Sequence, residues 1–485
     1  MEVRLDRVEN SLLFRALRWT AAKLNLRAAV ESGHDYSDWL EQCGWMEPSP
    51  QEQARHMASW GTRPRFTHLP ELQTAESWRN TLRQAGDEFS VVIGGSVVLS
   101  PLADYRWGEY LQENPGCDAV YSDWDHIAGD GQRHAPRFTP ELSPELLSTT
   151  RYWGDCFLIR TRLLRELACD LDPADSSWMH TLSRRIADST RIARIPHILW
   201  HSTLEPIPVE QPASAATSDA AQASIVICTR TPKLLDRCLR ALRRTDAAQA
   251  EIVVVAHDHG AAARLDRIAT AHGARAVRYS GQFHFGVMNA LGARHSSRPV
   301  LVFLNDDVEP ISSAWLSRLL RPLNRPEIGI AGGLLLYPDN TIQHAGISVG
   351  GGPYPSHLGR RQTSSPWWPW LRVTREVAAV TGACLAIRRA VWDELGGFDP
   401  RFQINYNDVD LCLRARRAGY SVILECGAVL HHREAQTRST IVTPDEKALF
   451  TSVWASELAK PDPFFNPNLT LPDERITLAH PCFAR

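Results

Sequence analysis

The sequence predicts an α/β protein organised around a mostly parallel sheet. Past residue 223, short and wholly apolar runs alternate with amphipathic helical stretches. Runs without a polar face must be covered on both sides, as strands are in a parallel sheet with helices above and below. The composition agrees: 485 residues, 44% hydrophobic and 22% charged, make an ordinary globular chain of two or three domains.

Taken in chain order, residues 10–28 carry a helical stripe of Leu13, Leu17, Ala21 and Leu24, decorated by Arg15, Arg18, Lys23 and Arg27. A basic amphipathic helix of this kind suits either an anionic membrane surface or a protein groove. Residues 1–34 are therefore set apart. Residues 35–205 mix strands and helices: a buried run over 90–99 interrupted by Gly94-Gly95, a short strand over 119–122, a tight turn at Asp130-Gly131 and a late strand over 194–200. Pro, Ala and Ser crowd residues 206–222, which read as a linker. The alternation then begins. Strands are expected at 223–228, 251–255, 276–279 and 300–304, and helices at 233–244, 261–272, 285–295 and 313–323. Further apolar strands fall at 422–424 and 428–430. This second unit spans 223–460 and a tail follows over 461–485. In sheets of this kind ligands sit at the carboxyl ends of the strands.

Several classes are excluded. No apolar run approaches the roughly 20 residues of a membrane helix, and the first ten residues have no secretory h-region. With 53 basic and 55 acidic residues, the net charge of −2 offers no footprint for nucleic acid. The ten cysteines lack C-x-x-C pairs, so they read as buried small hydrophobes in a reducing cytoplasm. Trp367, Trp368 and Trp370 crowd a Pro-rich stretch and cannot all be core.

Four groups of residues can carry chemistry. Asn305-Asp306-Asp307 follow the apolar run VLVFL. Adjacent carboxylates at the end of a buried strand repel, and a hard cation such as Mg²⁺ or Mn²⁺ relieves them; the bland alternative is a solvated, helix-capping turn. Asp408 and Asp410 sit at a helix start, as simple caps or, for Asp408, as a carboxylate aimed into a cleft as general base. His431-His432 close a late strand and offer imidazole to Mn²⁺, or are merely structural. Thr381-Gly382-Ala383-Cys384 is small enough for close approach of a ligand, or for tight strand packing.

The segments SIVICTRTPKLLDRCLRAL, FLNDDVEP, LLLYPDNTIQHAG, VTGACLAIRRAVWDELGGFD, NDVDLCLRARRAGY and LHHREAQTR occur in that order. Together they closely resemble family 2 glycosyltransferases of the GT-A fold, in particular rhamnosyltransferase-like enzymes of bacterial O-antigen and other surface polysaccharides. The resemblance covers about residues 223–470, including DPFFNPNLT in the tail. It implies a metal-dependent, inverting transfer from a UDP- or dTDP-sugar to a hydroxyl of a glycan or lipid-linked acceptor, in the cytoplasm or peripherally on the inner membrane or an assembly complex. Residue by residue, Asp307 would bind the Mn²⁺ or Mg²⁺ that bridges the diphosphate, with Asp306 or Asn305 near the ribose. Asp408 matches the general base. His431 or His432 would complete the metal shell. Thr229 and Arg230 fall where the nucleotide binds, and Asn289, Gly382 and Ala383 near the donor. Two departures stand out. Ala256-His257-Asp258 replaces the Asp that usually contacts the base, leaving Asp258 as a shifted substitute, and Asn305 replaces the first acid of the metal motif.

VYSDWDHI, GDCFLIRTRLL and RIPHILWH faintly resemble a second GT-A-related unit, with Ile-Gly-Gly-Ser-Val at 93–97 where metal-binding acids would fall. It reads as a degenerate module, with Asp123 and Asp125 as weak candidates. Two other functions compete: a catalytically silent saccharide-binding scaffold, and a sugar nucleotidyltransferase, for which CTRTPKLL lacks the glycine-rich loop. Paired-carboxylate glycoside hydrolysis needs neither metal nor diphosphate.

Overall fold

The computed structural model describes residues 36–479 apart from 45–46, 61–62, 70–74, 190, 207–208, 210–217, 259 and 434–441. The basic stripe over 10–28 and most of the linker lie outside the described residues. The first unit contributes strands β1 (Phe66–His68), β2 (Phe89–Ile93), β3 (Val97–Leu99), β4 (Ala119–Ile127), β5 (Arg133–Arg137), β6 (Cys156–Arg160) and β7 (Ile192–Ser202). The run over 90–99 is thus two strands, split where Gly95 adopts φ +63°. Glycine reaches that left-handed conformation without steric cost.

The second unit contributes β8 (Ala223–Thr229), β9 (Glu251–His257), β10 (Arg275–Tyr279), β11 (Val300–Asn305), β12 (Val308–Pro310) and β13 (Ile328–Leu336). It continues with β14 (Ile342–His344), β15 (Ile347–Ser348), β16 (Ser356–His357), β17 (Arg375–Glu376), β18 (Cys384–Arg388) and β19 (Ser421–His432). The two short runs expected at 422–424 and 428–430 are one strand, bent by an irregularity opposite Gly333-Leu334. Two of the longer strands of the second unit, β13 and β18, fall outside the strands expected from sequence. β13, IGIAGGLLL, carries three glycines that read as breakers. At Gly332 the reason is close packing: a Cβ there would lie 2.5 Å from the Cβ of Val380. β18 runs straight into the helix Arg389–Leu395, with no turn residue between them to mark the strand's end.

The second sheet runs β10-β9-β8-β11-β18-β13-β19-β12. β10 through β11 are mutually parallel, as the alternation of apolar runs and helices predicts. Beyond β11 the sheet is mixed. β18 lies antiparallel between β11 and β13, β13 and β19 are parallel, and β12 is antiparallel on β19. Apolarity reports burial on both faces but not direction; direction is set by where the chain re-enters the sheet.

The first sheet runs β1-β2-β6-β4-β7-β3. Without β9 and β10, the second order reads β8-β11-β18-β13-β19-β12 and matches it strand for strand. The directions also match: parallel β1–β2 and β4–β7, antiparallel β2–β6, β6–β4 and β7–β3. Register extends the correspondence. Ile93 opposes Cys156 as Leu304 opposes Cys384, and Val97 opposes Ser202 as Val308 opposes His432. Counting along these ladders, Gly94, Gly95 and Ser96 occupy the positions of Asn305, Asp306 and Asp307.

Buried polar contacts lock the units together. Asp123, fully buried, accepts from the Thr139 amide (2.8 Å) and hydroxyl (2.7 Å). It also accepts from the side-chain amides of Asn466 (2.9 and 2.8 Å) and Asn468 (3.0 Å) in the tail. Asp462 holds the same tail to the second unit by accepting from the Val349 amide at 3.0 Å. On the other side of the junction, the carboxylate of Glu376 caps the helix Pro144–Thr149, accepting from the Ser143 hydroxyl and from the Glu145 amide (3.0 Å). Buried Glu145 in turn pairs with Arg321 (2.7 Å) and Arg325. Burial pushes the Glu376 carboxyl up from 4.5 to about 6, against the lowering effect of these hydrogen bonds.

Asp123→Ala would strand two buried amide side chains and is expected to lower the unfolding free energy by about 3 kcal/mol, read as an earlier denaturant midpoint with faster proteolysis of the tail. A midpoint like wild type would show that the tail is held by other contacts. Glu376 binds its proton more tightly folded than unfolded, so its contribution to stability is complete below pH 4.5 and is lost as pH rises through about 6. Glu376→Gln is expected to flatten that limb of the stability–pH curve, measured by urea titration between those pH values.

Candidate functional site

Four segments of the second unit converge at the carboxyl ends of β8 and β11. β8 delivers Thr229. β11 and β12 are joined by residues 305–307. The segment 381–383 enters β18 beside them, with the Asn305 amide donating to the Ala383 carbonyl at 3.0 Å. The helix Asn407–Arg417 points its first turn at the same place, because the Gly382 amide donates to Asp408 Oδ2 at 2.7 Å. A chain of hydrogen bonds therefore runs from the carboxylate turn through the small-residue segment to Asp408.

Asp306 and Asp307, each 8% exposed, are tucked under the rim. The Thr229 hydroxyl donates to Asp306 Oδ2 at 2.5 Å. Burial pushes the Asp306 carboxyl up to about 7; the Thr229 hydrogen bond pulls it down, and the charge of Asp307 pushes it up again. Desolvation and a like charge thus act together on one group.

The adjacent histidines separate, because successive side chains of a strand face opposite ways. His432 opposes Val308 across the ladder, and its Nε2 lies 3.2 Å from Asp307 Oδ1. Among the described residues, Asp307 Oδ1 and His432 Nδ1 are both buried with no hydrogen-bond partner. His431 faces away, and its Nε2 contacts Asn340 Oδ1 at 3.0 Å. A buried carboxylate oxygen and an imidazole side by side, with polar atoms unsatisfied, fit a divalent cation. Among the described residues no group of three or more His, Cys, Asp or Glu side chains could hold a metal by itself. Two protein ligands would leave further coordination positions open, as is usual where Mg²⁺ is held by one or two side chains.

Asp408 is partly exposed, with its Oδ1 also accepting from the Val409 amide at 2.9 Å. Each oxygen thus has one fixed N–H donor and a second lone-pair site to spare. Gly382 is needed here: a Cβ would meet the Phe285 ring at 3.0 Å and the Asp408 Cβ at 3.5 Å. Asp410, by contrast, is a structural residue. It is buried, pairs with Arg414 (2.8 Å) and accepts from the Trp454 indole (3.1 Å).

The other predicted residues are less committed. Arg230 is exposed beside Thr229, where its charge lowers the Asp306 carboxyl. Asn289 is buried on the helix Phe285–Arg294 and donates to the Phe285 carbonyl at 3.0 Å. Asp258 is exposed beyond β9 and caps its own turn through the Gly260 amide (3.3 Å), while Ala256 is fully buried. Ala383 is buried, with its amide 3.4 Å from the Thr381 hydroxyl.

Two residues that position the site were not singled out from sequence. Glu446 accepts from the amides of Ile404 (2.7 Å) and Asn405 (2.9 Å), clamping the loop before Tyr406. Tyr406 itself takes a left-handed φ of 63° just ahead of the Asp408 turn and stacks on Phe450. The spacing Thr443-Pro-Asp-Glu446 is a capping-box signal that marks the helix but not what the glutamate reaches. His344, fully buried, accepts from the Thr381 amide at 3.3 Å; burial holds its imidazole well below the usual range, so it is neutral.

Residues 221–450 match the family described as "Glycosyltransferase like family 2". The "O-antigen biosynthesis protein RfbC" of Myxococcus xanthus is 26% identical over 91% of this chain and 39% of its own length. An "N-acetylglucosaminyl-diphospho-decaprenol L-rhamnosyltransferase" of Mycobacterium tuberculosis (strain CDC 1551 / Oshkosh) is 30% identical over 23% of this chain and 40% of its own. The chain thus spans less than half the length of these curated relatives. Among solved structures, "GalNAc-T7 with UDP, GalNAc and Mn2+" aligns with a TM-score of 0.40 at 17% identity, over 53% of this chain and 49% of that one.

Proposed function

Residues 221–450 form a glycosyltransferase family 2 domain with the GT-A type of α/β sheet, and on that premise we propose that this protein transfers a sugar from a UDP- or dTDP-linked donor to a hydroxyl of a glycan or lipid-linked acceptor in bacterial surface polysaccharide synthesis. The observation that carries this is the hydrogen-bonded chain from residues 305–307 through 381–383 to Asp408.

Thr229, Arg230 and Asp306 line the place where the nucleoside and its diphosphate would lie. Asp307 and His432 would hold Mn²⁺ or Mg²⁺, which when bound offsets charge on the departing diphosphate. Asp408, held by the Gly382 and Val409 amides, accepts the proton of the acceptor hydroxyl as its oxygen bonds to the anomeric carbon. The bond to the diphosphate breaks on the opposite face, so the configuration inverts in one displacement. Asn289, Gly382 and Ala383 supply a close-fitting wall for the donor sugar.

The first unit is read as a degenerate copy of the second. Gly94, Gly95 and Ser96 replace the metal-site turn by register, and Ser202 replaces His432. Trp200, stacked 4.6 Å from Trp124, fills the space over Gly154, where a Cβ would be 2.3 Å from the indole. The second function is a silent saccharide-binding scaffold, favoured by buried Ala256 at the expected base-binding position. Among the described residues no helix is long and apolar enough to cross a membrane, and residues 1–34 are proposed to attach the protein peripherally to the membrane or to an assembly complex.

Asp408→Asn is expected to lower turnover at least ~100-fold while leaving nucleotide affinity unchanged, assayed by nucleotide release from UDP- and dTDP-sugars. Wild-type turnover in that variant would remove Asp408 as base. Asp307→Ala is expected to abolish the tightening of UDP or dTDP binding by Mn²⁺ in calorimetry; a scaffold would show no such tightening even in the wild type.

A further inference from the structure

A cavity of about 260 Å³ opens where the first unit meets the second, away from the segments described above. One side is the turn and strand after β4, with Gln132, Arg133 and His134. The other is Pro366 and Trp367, and Tyr36 contributes a wall between them. The half-buried indole of Trp367 and the ring of Tyr36 lie 6.3 Å apart, tilted by 42°. Trp368 and Trp370 beside it are core residues, 0% and 2% exposed, so Trp367 is the member of that cluster left to the cavity.

The polar part is built from underneath. Asp125, fully buried, accepts from the Tyr36 hydroxyl at 2.6 Å and from Arg133 Nε at 2.8 Å, and pairs with His201 Nδ1. One buried carboxylate thus fixes both the aromatic wall and the guanidinium. Among the described residues Arg133 is held through its Nε, and the residue lines the cavity with its rigid guanidinium fork. The backbone bends sharply at the floor, where Ala135 takes a φ of 45°. Strain at a non-glycine residue beside a preorganised polar group is characteristic of binding sites.

From this geometry we infer a second saccharide site, separate from the donor site and formed only when the two units are joined. Apolar ring faces beside aromatic walls, with a fork of donors at the edge, match a pyranose, which has one C–H face and a rim of hydroxyls. A volume just under the usual range for drug-sized ligands fits one sugar residue and is small for a nucleoside diphosphate. Among the described residues the lining has no Asp or Glu and includes the Arg133 cation, which favours a neutral ligand over a metal ion. The inference goes beyond the catalytic reading and does not depend on it.

Saturation-transfer NMR on the full chain, with the methyl glycosides of glucose, mannose, rhamnose and N-acetylglucosamine as probes, tests it. At least one glycoside is expected to bind through protons of one ring face, equally with or without UDP and Mn²⁺ and equally in Asp307→Ala and Asp408→Asn. Trp367→Ala is expected to weaken binding roughly tenfold, and Trp367→Phe less. Arg133→Lys keeps a cation on Asp125 but loses the fork, and about a threefold loss is expected. The inference fails if no glycoside binds the wild type. It fails equally if Trp367→Ala and Arg133→Lys bind like wild type, or if UDP displaces the glycoside. Loss of transfer in Asp408→Asn with glycoside binding intact separates the fate of this site from that of the catalytic one.

Discussion

Two adjacent carboxylates at the end of a buried strand constrain the rest of the site. Asp306 and Asp307 follow β11, whose apolar residues are almost wholly buried, and neither carboxylate reaches open solvent. Such a pair is tolerated only where something answers its charge. For Asp306 the protein answers with the Thr229 hydroxyl and the nearby charge of Arg230. For Asp307 it answers with the His432 imidazole, whose Nε2 lies 3.2 Å from Oδ1, while among the described residues Asp307 Oδ1 and His432 Nδ1 have no hydrogen-bond partner. The turn is an incomplete electrostatic arrangement, and that incompleteness is what a cation and a diphosphate would fill.

The antiparallel insertion of β18 turns this local feature into a site. Had the strand beside β11 been parallel, its amino end would lie at the opposite edge of the sheet. Running antiparallel, β18 starts next to the carboxyl end of β11, and the segment 381–383 lands against residues 305–307. Gly382 then gives its amide to Asp408. The clamp of Glu446 on residues 404–405 holds the loop that precedes the Asp408 helix.

The two units share one strand order and one pattern of directions, yet they differ in what their sheet edges carry. Where the second unit keeps acids and an imidazole, the first has glycines and serines and fills the space with stacked indoles. Its own acids serve other ends. Asp123, a weak candidate for chemistry from sequence, is the anchor for the tail, and Asp125 organises Tyr36, Arg133 and His201. The tail segment around Asn466 is accordingly a strap between units: its amides are spent on Asp123. This division of labour makes the junction, rather than either unit alone, the place where new surface is created.

Much of the second unit was legible in the sequence, since apolar runs and helical stripes report burial directly and residues 305–307, Gly382 and Asp408 stand at element ends that those patterns mark. The choice between His431 and His432 was not legible, because neighbours on a strand differ only in the face they take and the face depends on register with β12. Nor were β18, the reach of Glu446, or the tail partners of Asp123, Asn466 and Asn468, which lie more than three hundred positions away in the chain. By itself the sequence determined which segments form the sheet and which residue types can do chemistry, because those follow from local periodicity and side-chain character. Only the tertiary structure decided which of them meet, because strand direction, register and long-range burial are properties of the packed sheet and of no short stretch of chain.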